Sequence, residues 1–127
     1  MAIFDLFRPK WKHSDPDVRI AAAQQLEDPN TLRQMAAGDR EWFVRHRVFD
    51  VIRDKFADQQ TYAYLARNSI DEEIRRKAVK LVSDETVLEG IAKSEKYRYV
   101  RDAAEHRLEE LHSDLWGEKS GTAETVG

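Results

Sequence analysis

Branched aliphatic residues followed by arginine recur along the chain at Val18, Val44, Ile74 and Val100, at intervals of 26, 30 and 26 residues. Four positions later stand Ala22, Val48, Ala78 and Ala104, and four beyond those Leu26, Ile52, Val82 and Leu108. A spacing of four keeps side chains on one helix face. Each stretch therefore predicts a short amphipathic helix, here helix A. A small residue at mid-face in three of the four copies lets a neighbouring helix approach closely.

The polar positions between these stripes carry a second pattern. The first three A segments lead to Asp28, Asp58 and Asp84, residues suited to capping a helix N-terminus. Leu32, Tyr62 and Leu88 follow, then Met35-Ala36, Leu65-Ala66 and Ile91-Ala92, which complete a face at i, i+3 and i+4. This predicts a second helix, B, in each copy. Pro29 suits its first turn, where a missing N–H costs nothing. Eight residues separate the B-helix alanine from the next branched aliphatic in all three copies: 36 to 44, 66 to 74 and 92 to 100. The longer second interval is the insertion RDKF at 53–56, about one extra turn of helix, with Phe56 prolonging the apolar stripe.

Two-helix units with an apolar face on each helix must stack to bury those faces. The expected fold is all-α, a right-handed α-solenoid of about three and a half repeats starting near 14, 40, 70 and 96. The columns, Val/Ile-Arg-x-x-x-Ala opening one helix and Asp before the other, resemble HEAT-like repeats over residues 14 to about 111. The units are shorter than the ~40–47 residues usual for HEAT and armadillo repeats. Short HEAT-like repeats are one match and the leucine-rich repeat variant, whose second helix is partly 3₁₀, is another. The resemblance implies a binding scaffold.

The ends complete this organisation. Residues 1–13, with Ile3, Phe4, Leu6, Phe7 and Trp11, are expected to cap the first repeat, with a membrane-surface contact as the alternative. The repeat domain spans 14–116, its last helix continuing through Leu108, Leu111 and Leu115. The small polar stretch GEKSGTAETVG at 117–127 is expected to be a disordered tail.

Composition narrows the function classes. The first 104 residues carry 19 basic and 18 acidic side chains, and residues 105–127 two and six, unlike a strongly basic nucleic-acid binder. With no cysteine, thiolate metal sites and cysteine nucleophiles are excluded. The N-terminus lacks the apolar run of a signal peptide, and no window reaches the ~20 apolar residues of a membrane span. A cytoplasmic monomer is expected. Gly-rich phosphate loops and nucleophile elbows are missing, so no catalytic residue is assigned. His13, His46, His106 and His112 raise a metal site, with Glu109 and His112 forming one E-x-x-H. Such helical sites use that motif in pairs, so no metal and no cofactor is expected.

Four groups of residues are candidates for function. Arg19, Arg45, Arg75 and Arg101 recur in every copy and are read as structural braces. Their planar forks would reach Asp15, Asp39, Ser69, Glu95 or free carbonyls in an adjacent loop. Arg33, Gln34, Tyr64, Arg67 and Lys93, off the apolar face of helix B, would converge on a concave, mildly basic groove suited to an acidic or extended segment. A solvated face is the alternative. Trp42 and Tyr97, in the loops before helix A, are possible anchors, while Phe43 and Tyr99 are expected to fold back onto the neighbouring repeat. His46, Arg47, Arg53, Arg76, Lys77 and Lys80 on the outer face of helix A carry the nucleic-acid alternative. The expected function is a non-catalytic scaffold for another protein or peptide. A third reading, an accessory subunit in enzyme or cofactor assembly, rests only on HEAT-like repeats also occurring in bilin lyase subunits.

Overall fold

The structure, a computed structural model, describes residues 8–56 and 58–126, with side chains as far as Ser113. Among the described residues the chain is all-helical. A 3₁₀ turn at Lys10–Lys12 precedes α1 (Pro16–Gln25), α2 (Pro29–Gly38), α3 (Trp42–Lys55), α4 (Gln59–Asn68), α5 (Glu72–Val79), α6 (Glu85–Ser94) and α7 (Arg98–Val126), and no strand is present. Among the described residues, no helix is long and apolar enough to cross a membrane.

The helix starts follow from the capping aspartates. Asp15, Asp28, Asp58 and Asp84 accept from the N–H groups of Asp17, Asn30, Gln60 and Thr86 at 2.9, 3.1, 3.2 and 2.9 Å. Each satisfies one of the orphan donors of a first turn. Pro16 and Pro29 occupy the first turns of α1 and α2. The insertion at 53–56 does lengthen its helix: α3 has 14 residues where α1 has 10, and Phe56 closes it with an N–H bond to Ile52 O at 2.9 Å.

Helix α2 packs on α3, α4 on α5 and α6 on α7. The first helices α1, α3, α5 and α7 also touch in succession, as do the second helices α2, α4 and α6. One core runs between these two rows, from Leu32 and Met35 through Val44, Val48, Ile52, Leu65 and Ile74 to Leu88, Val100 and Ala104, all buried. A further buried column lies five positions after the branched aliphatic: Ala23, Phe49 and Val79.

The apolar stripe of the first copy departs from expectation. Val18, Ala22 and Leu26 are only half-buried, whereas their counterparts Val44, Val48 and Ile52 are enclosed. Nothing precedes α1 among the described residues except the segment 8–15. The stripe therefore borders a cavity of about 1080 Å³ shared with Pro9 and Trp11. Residues 1–7 of the expected cap lie outside the described residues, as do the side chains of the tail expected at 117–127.

Candidate interaction surface on the second helices

Because α2, α4 and α6 start from equivalent aspartates, their residues align in columns across the surface these helices share. Gln34, Tyr64 and Gly90 form one column, and Ala37, Arg67 and Lys93 the next. Gln34, Arg67 and Lys93 are exposed, and the Tyr64 ring is 38 % exposed. The half-buried Arg33 donates to Asn30 Oδ1 at 2.6 Å, and its guanidinium lies 5.3 Å from the Tyr64 ring centroid, a cation–π contact joining α2 to α4. Arg67 and Lys93 have no carboxylate within ion-pair distance among the described residues.

Between α4 and α6 the surface dips into a cavity of about 500 Å³ lined by Ala66, Arg67, Gly90, Ser94 and Lys96, with Arg75 and Glu95 at one wall. Periodicity pointed to Arg67 but not to Gly90 or Lys96. A glycine carries no hydrophobic signal, and Lys96 belongs to a loop.

The four recurrent arginines are engaged by backbone carbonyls and, in three of them, by carboxylates. In each, one terminal nitrogen donates to the carbonyl six residues earlier: Arg19 to His13, Arg45 to Asp39, Arg75 to Ser69 and Arg101 to Glu95, at 2.7–2.8 Å. The rest of the fork reaches the next loop. Arg19 pairs with both oxygens of Asp39 at 3.0 Å, Arg45 with Asp71 at 2.9 Å, and Arg75 with both oxygens of Glu95 at 2.9 and 3.0 Å. Arg101, in the last of the four first helices, meets only carbonyls among the described residues. Asp15, a partner considered from sequence, instead caps α1. Asp71, which the pattern did not single out, both caps α5 and accepts from Arg45.

The loop aromatics divide. Phe43 packs against the core, but Tyr99 is 42 % exposed and does not fold back as expected. Its ring sits edge-on to Tyr97 at 6.0 Å. Tyr97 faces the cations of Arg75 and Lys96, each 5.7 Å from its ring centroid. Trp42, 65 % exposed, sits edge-on to Phe43 and His46 of the same helix.

Two outer cations of the first helices are paired with acids. Arg53 lies between Asp50 and Asp54 at 3.4 and 3.6 Å, and Arg76 is held by Glu73. His46 Nε2 is 3.1 Å from Asp71, and its Nδ1 is 2.9 Å from Lys77 Nζ. His13, His106 and His112 meet the Asp15 N–H, Glu110 and Glu85 respectively. No group of three metal-ligating side chains occurs among the described residues.

Electrostatics make the braces pH-sensitive. Burial pushes the Asp71 carboxyl up, but the hydrogen bonds from Arg45 and Ile74 and the nearby charges outweigh it and hold the group below its ordinary 3.8. Glu95 behaves alike: burial raises it, and Arg75 with the Tyr97 N–H brings it below 4.5. A carboxylate depressed by folding contributes stability that is full above its unfolded pKa and is lost as pH falls through the folded value. The melting temperature is therefore expected to hold from pH 7 to about 5 and fall progressively below 4.5. Thermal melts of Asp71→Asn should show a lower plateau and a shallower acid decline. An equally steep decline in that variant would remove Asp71 from the explanation.

Comparison of the chain with protein-family models, with curated proteins and with solved structures finds no match in any of the three.

Proposed function

We propose that this chain is a protein-interaction scaffold: a right-handed α-solenoid of about three and a half short HEAT-like repeats, with the surface of α2, α4 and α6 as its binding groove. Supporting the solenoid reading, helices at equivalent positions touch in succession along both rows. The binding reading is carried by a contrast in how arginine is used. Arg19, Arg45 and Arg75 are consumed in bracing, while Arg67 stands exposed without a carboxylate beside a surface cavity and near an exposed tyrosine. Tyrosine and arginine are the side chains that most often carry interface energy. The partner class is another protein or peptide, engaged as an extended segment along the groove. The same reading has the chain acting as a cytoplasmic monomer, without a resident cofactor or catalysis of its own.

Substituting Tyr64, Arg67 and Lys93 together with serine tests this. These side chains are exposed, so the circular dichroism spectrum and melting temperature are expected to stay close to wild type. Partners captured from cell extract by the wild-type chain are expected to be lost. Capture that survives with the fold intact would move the interface to another face.

A further inference from the structure

We infer that the cavity between α4 and α6 is a receptor for a carboxylate side chain on an extended acidic peptide, with Gly90 as the residue that opens it. This deepens the groove reading and rests on it. Three observations converge. The first is Gly90 itself, in the middle of α6, where glycine is a poorer helix former than alanine. Packing gives no reason for it, because a Cβ built there would meet nothing within 4 Å. In the equivalent positions the column carries Gln34 and Tyr64, so only this copy leaves the space empty. The glycine therefore keeps the surface recessed at that point.

The second observation is charge. Arg67 and Lys96 line the cavity, and neither has a carboxylate partner among the described residues. The one acid at the wall, Glu95, has both oxygens held by Arg75 and also accepts from the Tyr97 N–H at 3.3 Å. It is neutralised in place and does not compete for Arg67. Lys93 is set aside, since it does not line the cavity. An incoming carboxylate would thus meet two cations, one of them a planar fork suited to bidentate pairing.

The third is shape. Ala66, Val87 and Ile91 contribute an apolar floor, and Ser94 turns its hydroxyl back to the Gly90 carbonyl at 2.7 Å. A floor of that kind takes the methylene stem of a glutamate while its head reaches Arg67. The cavity of about 500 Å³ holds one or two residues of an extended chain and not a folded domain.

The probe is a capped nonapeptide of alternating glutamate and alanine, compared with its glutamine counterpart, titrated into the ¹⁵N-labelled full chain at low salt. Amide shifts are expected to concentrate at Arg67, Gly90, Ser94 and Lys96, with the glutamine peptide binding at least about tenfold more weakly. Gly90→Leu puts a side chain into the recess, its Cβ meeting nothing within 4 Å. It is expected to weaken the glutamate peptide by about tenfold while leaving the melting temperature unchanged or raised. Arg67→Gln should weaken it to a similar degree. Equal affinity for the two peptides, or undiminished binding by Gly90→Leu, overturns the inference. So does tighter binding of a single-stranded oligonucleotide with shifts centred on Arg47 and Lys80. The two readings fail separately. Partner loss in the Tyr64, Arg67 and Lys93 variant, with full peptide binding by Gly90→Leu, rejects the receptor and leaves the groove standing.

Discussion

Arg19→Ala is expected to remove about 3–5 kcal/mol of folding stability, the cost of breaking a buried ion pair by deleting one partner. Arg19 is 2 % exposed and Asp39 is nearly as enclosed. The guanidinium serves both Asp39 oxygens at 3.0 Å and the carbonyls of His13 and Ser14 at 2.8 and 3.0 Å. Alanine would leave a carboxylate in a confined site with only the Glu41 N–H, 3.0 Å away, as a described donor. An uncompensated buried charge costs far more than the pair contributes, so most of the loss is desolvation. Urea denaturation should move the midpoint down by more than about 1 M at unchanged slope. Arg53→Ala is the control. Its partners Asp50 and Asp54 are open to water, and a loss below about 1 kcal/mol is expected. Similar losses in the two variants would mean that the brace is worth no more than a surface pair.

The recurrent arginine is legible in the sequence as a column, and so is its use as a brace, because a residue present in every copy suits the contact that every copy makes. What could not be read was its partner. Asp71 sits 26 residues from Arg45, whereas Asp39 and Glu95 sit 20 from Arg19 and Arg75. The extra turn in α3 and the change from loop acid to helix cap break the arithmetic. The caps at Asp28, Asp58 and Asp84 were readable for the opposite reason. Each depends on bonds within three residues of itself, which sequence order fixes.

The surface of α2, α4 and α6 was half legible. Its columns follow from helix spacing, so Arg33, Tyr64, Arg67 and Lys93 could be grouped on one surface. Which cations are left without an acid depends on how closely neighbouring loops approach, and that is a tertiary fact. Arg75 and Lys96 meet at one wall, yet the first is saturated by Glu95 and the second is not. Gly90 is legible only afterwards, as a gap in a column. Tyr99 failed in the other direction. It precedes Val100 as Phe43 precedes Val44, but it stands exposed against Tyr97 and does not join the core.

Phe49→Ala is expected to cost about 3–5 kcal/mol, a large share of the roughly 5–15 kcal/mol available to a domain of this kind. Phe49 is 1 % exposed and is the largest fully buried side chain among the described residues. It does not belong to the stripe of Val44, Val48 and Ile52 that announced the helix. It begins the neighbouring row, where Ala23 and Val79 are its counterparts and Glu105 the fourth member. The Phe49 ring meets Tyr62 of the following helix, 6.5 Å between centroids. Truncating Phe49 would open space between α3 and α4 and strip contacts from Tyr62 and from the Lys77 ammonium, 5.9 Å from the ring centroid. Chemical denaturation measures the loss. A value below about 1.5 kcal/mol would mean that α3 and α4 close on the gap, so that the row holds its two helices less rigidly than its burial implies.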